Sequence, residues 1–164
     1  MKVGILSDTH NDAYNIQRAL SVFEKNKPGL LIFCGDATSV ASLEWFCEFP
    51  MIYVFGNGDF LTGEIQAFLK AYQPSNFAGY AFEGELDGKF IGVTHGHLEE
   101  KLNEMLHSNR FDYVFTGHTH LRMDKRIGRT RVINPGSLGG LKKQSRSIAL
   151  LDLETDELYF EIIR

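Results

Sequence analysis

The chain has 164 residues, of which 43% are hydrophobic, so it falls within the usual size of one domain and is long enough to bury a core. Its net charge of −4, with lysine and arginine spread thinly, gives no basic stripe for nucleic acid and no polybasic segment for anionic lipid. No apolar run approaches a membrane span or a signal-peptide core, and two cysteines give neither a disulfide framework nor a metal knuckle. We therefore expect one domain over residues 1–164, located in the cytoplasm, with neither nucleic acid nor membrane as its partner.

Apolar β-type runs alternate with stretches of helical spacing over the first 117 residues. The predicted strands are KVGIL (2–6), LLIF (30–33), MIYVF (51–55), FIGVT (90–94) and YVFTG (113–117). The predicted helices are DAYNIQRALSVFEKN (12–26), VASLEWFCEF (40–49), GEIQAFLKAY (63–72) and LEEKLNEMLHSN (98–109). This alternation predicts a largely parallel sheet covered by helices on both faces.

From Arg122 onward the sequence changes to short strands joined by tight turns. These strands are MDKRIG (123–128), TRVIN (130–134), SIALLDL (147–153) and ELYFEII (157–163), with ETDE (154–157) as a hairpin connection. The pattern predicts an antiparallel meander that forms a second sheet on the first. The expected fold class is therefore α/β, a two-sheet sandwich with helices outside.

Each of the first five predicted strands is followed by a polar motif. In chain order the motifs are SDTH, CGDA, GNGD, THGH and TGHTH. The carboxyl ends of parallel strands share one edge of a sheet, so these motifs are expected to meet there. The motifs hold five of the six histidines, namely His10, His95, His97, His118 and His120, whereas His107 lies in a helical stretch. Each motif alone is typical of a cap or a turn, but together they predict a metal site.

The spacing of the candidate ligands supports that prediction. Asp8 and His10 are separated by one residue, so an extended backbone would place both side chains on one side, and His118 and His120 repeat the spacing. The carboxylate of Asp36 is able to share its two oxygens between two ions. Mixed imidazole and carboxylate ligands suit Mn, Fe, Zn or Ni better than Mg or Ca.

The motif series DTH, GDA, GN, HGH and GHTH, followed by INPGS, resembles the calcineurin-like metallophosphoesterases, and in particular their small bacterial and archaeal phosphodiesterase branch. The resemblance implies a four-layer α-β-β-α sandwich with two divalent ions at the strand ends, expected to be Mn²⁺, with Ni²⁺, Zn²⁺ and Fe²⁺ as alternatives. By position it assigns one ion to Asp8, His10, Asp36 and His120, and the other to Asp36, Asn57, His95 and His118.

The same resemblance implies hydrolysis of a small phosphodiester by a hydroxide that bridges the two ions, with Asp36 and Asn57 as catalytic residues; His97 is our own addition to this set. Gly56 and Gly58 are expected to let the backbone bend and aim Asn57. Many members of the family carry a histidine that protonates the leaving group where this chain has Gly58. We expect His97 to replace it, the alternative being that His97 only hydrogen-bonds to a metal ligand.

Other interpretations stay open. One alternative is a non-catalytic protein-binding scaffold of the retromer type, which has the same fold, and another is a site that binds metal with little turnover. In the loop NPGSLGG, Asn134 or Ser137 is a candidate ligand contact, and a purely structural turn is the alternative. The aromatic residues Trp45, Phe46, Phe77 and Tyr80 are candidates for a homodimer patch, with burial in the core as the alternative.

Overall fold

A computed structural model describes residues 1–141 and 144–164, which form two β-sheets and four helices. The strands are β1 (Lys2–Leu6), β2 (Leu30–Phe33), β3 (Met51–Val54), β4 (Phe77–Gly79), β5 (Ala81–Leu86), β6 (Lys89–Thr94), β7 (Tyr113–Phe115), β8 (Arg122–Ile127), β9 (Thr130–Pro135), β10 (Arg146–Asp152) and β11 (Glu157–Ile163). The helices are α1 (Ala13–Asn26), α2 (Val40–Glu44), α3 (Thr62–Tyr72) and α4 (Glu99–His107).

The first sheet has the strand order β11-β10-β1-β2-β3-β4, and the second has the order β5-β6-β7-β9-β8. Strands β1 to β4 are parallel, and β10 and β11 extend their sheet in antiparallel fashion. In the second sheet β6, β7 and β9 are parallel, with β5 and β8 as antiparallel edges.

Three apolar clusters hold the layers together. Residues such as Ile5 of the first sheet and Val93 of the second form the cluster between the sheets. Phe23 of α1 packs with Phe33 on the outer side of the first sheet, and Met105 of α4 packs with Val114 on the outer side of the second. The predicted two-sheet α/β sandwich with helices outside is confirmed.

The distribution of strands between the sheets differs from the expectation. Only β1, β2 and β3 of the five predicted strands lie in the first sheet, whereas β6 and β7 belong to the second. Two strands that the sequence did not predict, β4 and β5, explain the difference, because the chain leaves the first sheet at Gly79 and enters the second at Ala81. The polar motifs therefore lie at the carboxyl ends of parallel strands from both sheets, β1 to β3 in the first and β6 and β7 in the second.

The expected C-terminal meander is also wrong. The β8–β9 hairpin joins β7, and the β10–β11 hairpin joins β1. Five consecutive residues of β10, from 147 to 151, are buried, and a strand covered on both faces requires a central position. The predicted hairpin turn at 154–157 is confirmed by the pairing of β10 with β11.

Most helices were predicted within a few residues of their bounds. Asp12 is the N-cap of α1, and its carboxylate accepts a hydrogen bond from the Asn15 amide at 3.1 Å. The second helix ends earlier than predicted, at Glu44, and tight turns follow up to Pro50. Beyond Glu44 the amides bond three residues back rather than four, from Phe46 to the Leu43 carbonyl and from Phe49 to the Phe46 carbonyl. In the described part of the chain no helix is long and apolar enough to span a membrane.

The four aromatic residues proposed for a dimer patch separate into two pairs. Phe46 is buried in the cluster on the outer side of the first sheet, and Phe77 is partly buried against the cluster between the sheets. Trp45 and Tyr80 are 40% and 56% exposed. A homodimer stays a prediction, and only the second pair is available for it.

Candidate metal centre

The loops after β1, β2, β3, β6 and β7 bring all the predicted ligands to one cleft. The two carboxylates lie between two imidazoles: His10 Nε2 is 3.7 Å from both Asp8 Oδ1 and Asp36 Oδ2. On the other side, His95 Nε2 lies 3.9 Å from Asp8 Oδ1 and 3.5 Å from Asp36 Oδ2. His120 Nε2 lies 3.1 Å from Asp8 Oδ1.

The two remaining predicted ligands lie on the His95 side. Asn57 Oδ1 is 3.2 Å from His95 Nε2, and the ring centroids of His118 and His95 are 5.1 Å apart. The cleft has a volume of about 630 Å³ and is lined by His10, Asp12, Asp36, Asn57, His118, His120, Gly140 and Leu141.

Two groups of three side chains have ligand atoms that all lie within 4.8 Å of one another, which is close enough to hold a metal ion. These groups are Asp8, His10 and His120, and Asp8, Asp36 and His95. Asp8 belongs to both groups, so the geometry does not single out Asp36 as the shared ligand. The bridging role of Asp36 stays a prediction.

Each carboxylate has one oxygen held by hydrogen bonds and one directed at the imidazoles. The Ser7 hydroxyl and the His118 amide donate to Asp8 Oδ2 at 2.5 and 3.1 Å. The Gly58 amide donates to Asp36 Oδ1 at 2.7 Å. Asp8 Oδ1 and Asp36 Oδ2 are thereby directed into the cleft.

The free atoms fit a divalent cation. Asp8 Oδ1 and His10 Nε2 are buried, yet neither makes a hydrogen bond to a described residue. An unsatisfied buried carboxylate oxygen is costly unless a cation or a donor compensates it. His95 Nδ1 lies 2.6 Å from the Cys34 carbonyl oxygen, so it carries the hydrogen and leaves the lone pair of Nε2 toward the cleft.

Protonation states also suit metal binding. Burial alone would raise the pKa of Asp8, but the adjacent imidazoles of His10 and His120 lower it well below its usual range, so the carboxylate is ionised. The carboxylate of Asp8 in turn raises the pKa of His10, which acts in the opposite sense, because this imidazole has to lose its proton before it binds a metal. Burial and the neighbouring His95 lower the pKa of His118, which favours the neutral imidazole that a metal requires.

The backbone of the ligands is left-handed rather than extended. Asp8, His10, Asp36, His118 and His120 have φ angles of 53°, 43°, 58°, 66° and 61°. The expectation that an extended backbone aligns each pair is therefore wrong. Non-glycine residues in this region are uncommon and cluster at functional sites, where the surroundings hold them in place. Here the Asp8 amide donates to the Gly35 carbonyl and the His10 amide to the Asp36 carbonyl.

The two glycines beside Asn57 have a different role from the one expected. Neither Gly56 nor Gly58 has a positive φ angle. A Cβ at Gly56 would overlap the Asp36 carboxylate, and a Cβ at Gly58 would lie 3.1 Å from Asp36 Oδ1. Glycine is needed at position 56 because the Asp36 side chain occupies the space where a side chain would begin.

Asp59 is a residue of the site to which the sequence interpretation gave no role. Its buried carboxylate accepts hydrogen bonds from the amides of Asp36 (3.0 Å), Thr38 (2.8 Å) and Gly56 (2.8 Å), and from the Tyr53 hydroxyl (2.7 Å). It thus joins the loop that carries Asp36 to the loop that carries Asn57. Its signal in the sequence is an acidic residue two positions after Asn57, directly behind a buried strand.

His97 lies beside the ligands, with its ring centroid 5.4 Å from that of His95 and 6.3 Å from that of His118. Its Nδ1 atom is buried and makes no hydrogen bond to a described residue. Burial, together with His95 and His118, lowers its pKa. A catalytic role for His97 stays a prediction.

Asn134 and Ser137 are buried and hold loops together. Asn134 Nδ2 donates to the Gly117 carbonyl at 2.7 Å and to Thr119 Oγ1 at 3.1 Å, so it braces the loop that carries His118. Ser137 Oγ accepts a hydrogen bond from Arg146 at 3.1 Å. These contacts favour the structural interpretation of the loop.

Comparison with known proteins identifies the family. A sequence model of the calcineurin-like phosphoesterase superfamily domain matches residues 1–156. A phosphodiesterase of Methanocaldococcus jannaschii is 33% identical over 165 residues, which cover 99% of each chain. The solved structure of a novel archaeal phosphodiesterase has a TM-score of 0.93 and 31% identity, and covers 99% of each chain.

Vps29 from Entamoeba histolytica complexed with Zn²⁺ has a TM-score of 0.74 at 21% identity, with 99% of this chain and 92% of that chain covered, and therefore shares the fold. The predicted resemblance is confirmed by the match over 1–156 and by the archaeal phosphodiesterase. The chain belongs to the calcineurin-like phosphoesterase superfamily and is a metal-dependent phosphoesterase, a hydrolase of phosphate esters.

Proposed function

We propose that residues 1–164 act as one catalytic domain that hydrolyses small phosphodiesters with two divalent cations. The observation that supports this most strongly is the pair of buried carboxylates, Asp8 and Asp36, each with one oxygen directed between the imidazoles of His10 and His95. The 33% identity to a phosphodiesterase favours a diester as the substrate.

Seven residues would hold the two ions, as the family pattern assigns them. One set is Asp8, His10, Asp36 and His120, and the other is Asp36, Asn57, His95 and His118. Two divalent cations bound here would supply a water nucleophile at neutral pH and offset the charge of the phosphoryl oxygens. We expect Mn²⁺ as the native ion, with Ni²⁺, Zn²⁺ and Fe²⁺ as alternatives.

The protein contributes fixed ligand geometry to this chemistry. Asp36 is anchored through Oδ1, which leaves Oδ2 for metal, and His95 is anchored through the Cys34 carbonyl. Asn57 is exposed in the cleft, where its amide oxygen faces His95 and its amide hydrogens are available to an ester oxygen. Ligands held in this way do not have to reorganise when the substrate binds.

His97 is the candidate donor of the proton that the leaving oxygen takes up. Gly58 has no side chain for that task, and the His97 ring adjoins both His95 and His118. The alternative is that His97 only hydrogen-bonds to a metal ligand or to bound water.

A substrate and metal panel tests the proposal. The protein is stripped of metal with a chelator, reloaded with Mn²⁺, Ni²⁺, Zn²⁺ or Mg²⁺, and assayed with phosphomonoesters and phosphodiesters. We expect hydrolysis only after reloading, with diesters preferred over monoesters. Protein that binds two ions per chain and hydrolyses no ester would contradict the proposal.

A protein-binding scaffold is the rival function. The family match and the gathering of the seven predicted ligands at one cleft support an enzyme, and the scaffold is not favoured. Metal binding by itself does not separate a scaffold from an enzyme, whereas hydrolysis does. A cytoplasmic location and a homodimer stay predictions.

A further inference from the structure

A second cavity, of about 410 Å³, lies next to the metal cleft between α4 and the β8–β9 hairpin. Its lining includes leucines 102 and 106 of α4, Leu121, Met123 of β8 and Val132 of β9. Pockets of this size with mostly hydrophobic walls are typical of sites that bind the organic part of a small ligand. Of the seven proposed metal ligands, His118 alone lines this cavity.

The cavity lies beside the metal cleft and shares one lining side chain with it. His118 lines both spaces, and Gly96 and Gly117 line the second cavity between the histidines of the HGH and GHTH motifs. An ester bound through its phosphate beside His118 therefore has an apolar space within reach of its organic group.

The polar groups of the cavity lie at its floor and rim rather than across its walls. Asn134, at the floor, uses its amide nitrogen for Gly117 and Thr119 and its amide oxygen for the Gly136 amide. Arg122 and Lys125 of β8 are exposed and lie at the rim of the cavity. Their positive charge attracts an anionic ester. The space between is suited to a flat apolar group that carries an anionic phosphate at one end.

We propose that this cavity is the subsite for an apolar, ring-sized ester group of the substrate, and that it sets the preference of the enzyme for such esters. The inference rests on the proposed function, because it takes the phosphate to be held at the metal cleft. Burying a phenyl group in place of a methyl group is expected to improve binding at least about tenfold.

Two phosphonates that are not hydrolysed test the subsite. Inhibition constants of phenylphosphonate and methylphosphonate are measured against an activated diester in the metal-loaded enzyme. We expect phenylphosphonate to bind at least about tenfold more tightly. Leu106→Trp, which fills the cavity, is expected to bring the two inhibition constants within about twofold of each other. Met123→Trp fills the cavity from the β8 side and is expected to have the same effect on the two constants.

The matched control is Leu61→Trp, because Leu61 is 53% exposed and does not line this cavity. This variant should keep the preference for the phenyl compound. Equal inhibition constants in the wild type would overturn the proposal, as would a preference that survives both cavity variants.

A second readout does not depend on hydrolysis. The methyl groups of the methionines are labelled with ¹³C, and the Zn²⁺-loaded protein is titrated with each phosphonate. Phenylphosphonate should shift the Met123 resonance more than methylphosphonate does, whereas Met51, which is buried in the core beside the helices of the first sheet, should not move. An unmoved Met123 at saturation would contradict the subsite. If no ester is hydrolysed, the proposed function fails, and this titration still decides the subsite.

Discussion

Asp36 is the residue on which the two-ion proposal depends most. Its carboxylate is 4% exposed, one oxygen is fixed by the Gly58 amide, and the other faces both His10 and His95. We predict that Asp36→Asn abolishes hydrolysis and lowers the bound metal from two ions per chain toward one, because an amide replaces a shared anionic ligand. Metal content and turnover are measured on the same sample. Activity within a few fold of the wild type at equal metal loading would refute the bridging role.

Asp59 is predicted to affect metal binding without contacting the metal, because its carboxylate holds the backbone of the loops that carry Asp36 and Asn57. Backbone N–H groups donate hydrogen bonds to both oxygens of Asp59. In Asp59→Asn one oxygen becomes an NH₂ group, which is itself a donor and leaves the facing N–H without an acceptor. We expect metal affinity and turnover to fall about 10–100-fold. Tyr53→Phe removes only one of the donors and should have a smaller effect. Equal effects of the two variants on metal affinity would contradict this account.

Gly58 is the position where this chain lacks a proton donor. A positioned general acid contributes on the order of 10²–10⁴-fold, and most when the leaving oxygen is basic. We predict a steep fall of the hydrolysis rate as the pKa of the leaving group rises, and a shallower fall in Gly58→His. The control is Gly58→Ala, because both variants bring a Cβ against Asp36 and Thr38 and only one adds an imidazole. A flat dependence in the wild type that persists in His97→Ala would show that the missing side chain is not limiting.

Single residues differ in how far the sequence could predict them. The meeting of the seven predicted ligands at one cleft was predictable because strand ends carry Asp, Asn and His in a recurrent order, and their role as ligands stays a prediction. The left-handed backbone conformation of Asp8 and His118 was not predicted from the sequence, because it depends on hydrogen bonds between loops that are distant in sequence. The role of Asp59 was missed for the same reason, since its partners lie on two loops.

Among the elements, long helices with regular spacing and apolar strands were predicted well, and sheet membership was not. Strand β4 has only three residues and ends in Gly79, and β5 has Gly84 between two glutamates, so neither carries the apolar, β-branched run that marked the other strands. A prediction that omits these two strands does not show that the chain passes from the first sheet to the second between them. The pairing of β10 with β1 depends on which face each strand buries, which a local pattern does not specify.

The molecule as a whole is held together at the end opposite the cleft by a network of charged groups. Asp156, in the β10–β11 turn of the first sheet, accepts hydrogen bonds from the Tyr113 hydroxyl and from Arg131 of the second sheet, both at 2.6 Å. Arg131 also pairs with Asp124. These bonds connect the two sheets at a distance from the metal ligands.

This network predicts an acid-dependent contribution to stability. Burial alone would raise the pKa of Asp156, but the hydrogen bonds from Tyr113 and Arg131 outweigh burial and lower this pKa below its usual value. A carboxyl whose pKa is lower in the folded than in the unfolded protein stabilises the fold above the unfolded pKa, and this contribution is lost as the pH falls through the folded pKa. We predict that Asp156→Asn lowers Tm by about 2–4 °C at pH 7, since the groups are partly exposed, and that the difference shrinks below about pH 4.

The stability measurements are made in chelator so that metal binding does not contribute. Asparagine tolerates the positive φ of 61° at this position, so the variant tests charge rather than backbone strain. Glu154→Gln in the same turn is the control, and it should leave Tm unchanged. A Tm difference between the wild type and Asp156→Asn that is constant from pH 7 to pH 3 would contradict the network.

The most direct test of the central claim is to measure turnover and bound metal together during reconstitution. Metal-free protein is titrated with Mn²⁺, and the bound ions per chain and the hydrolysis of bis(4-nitrophenyl) phosphate are determined at each point. The two-ion account predicts no turnover without metal and a rate that rises as the second ion binds, with the plateau at two ions per chain. Full activity at one ion per chain, or two bound ions without any hydrolysis, would contradict it.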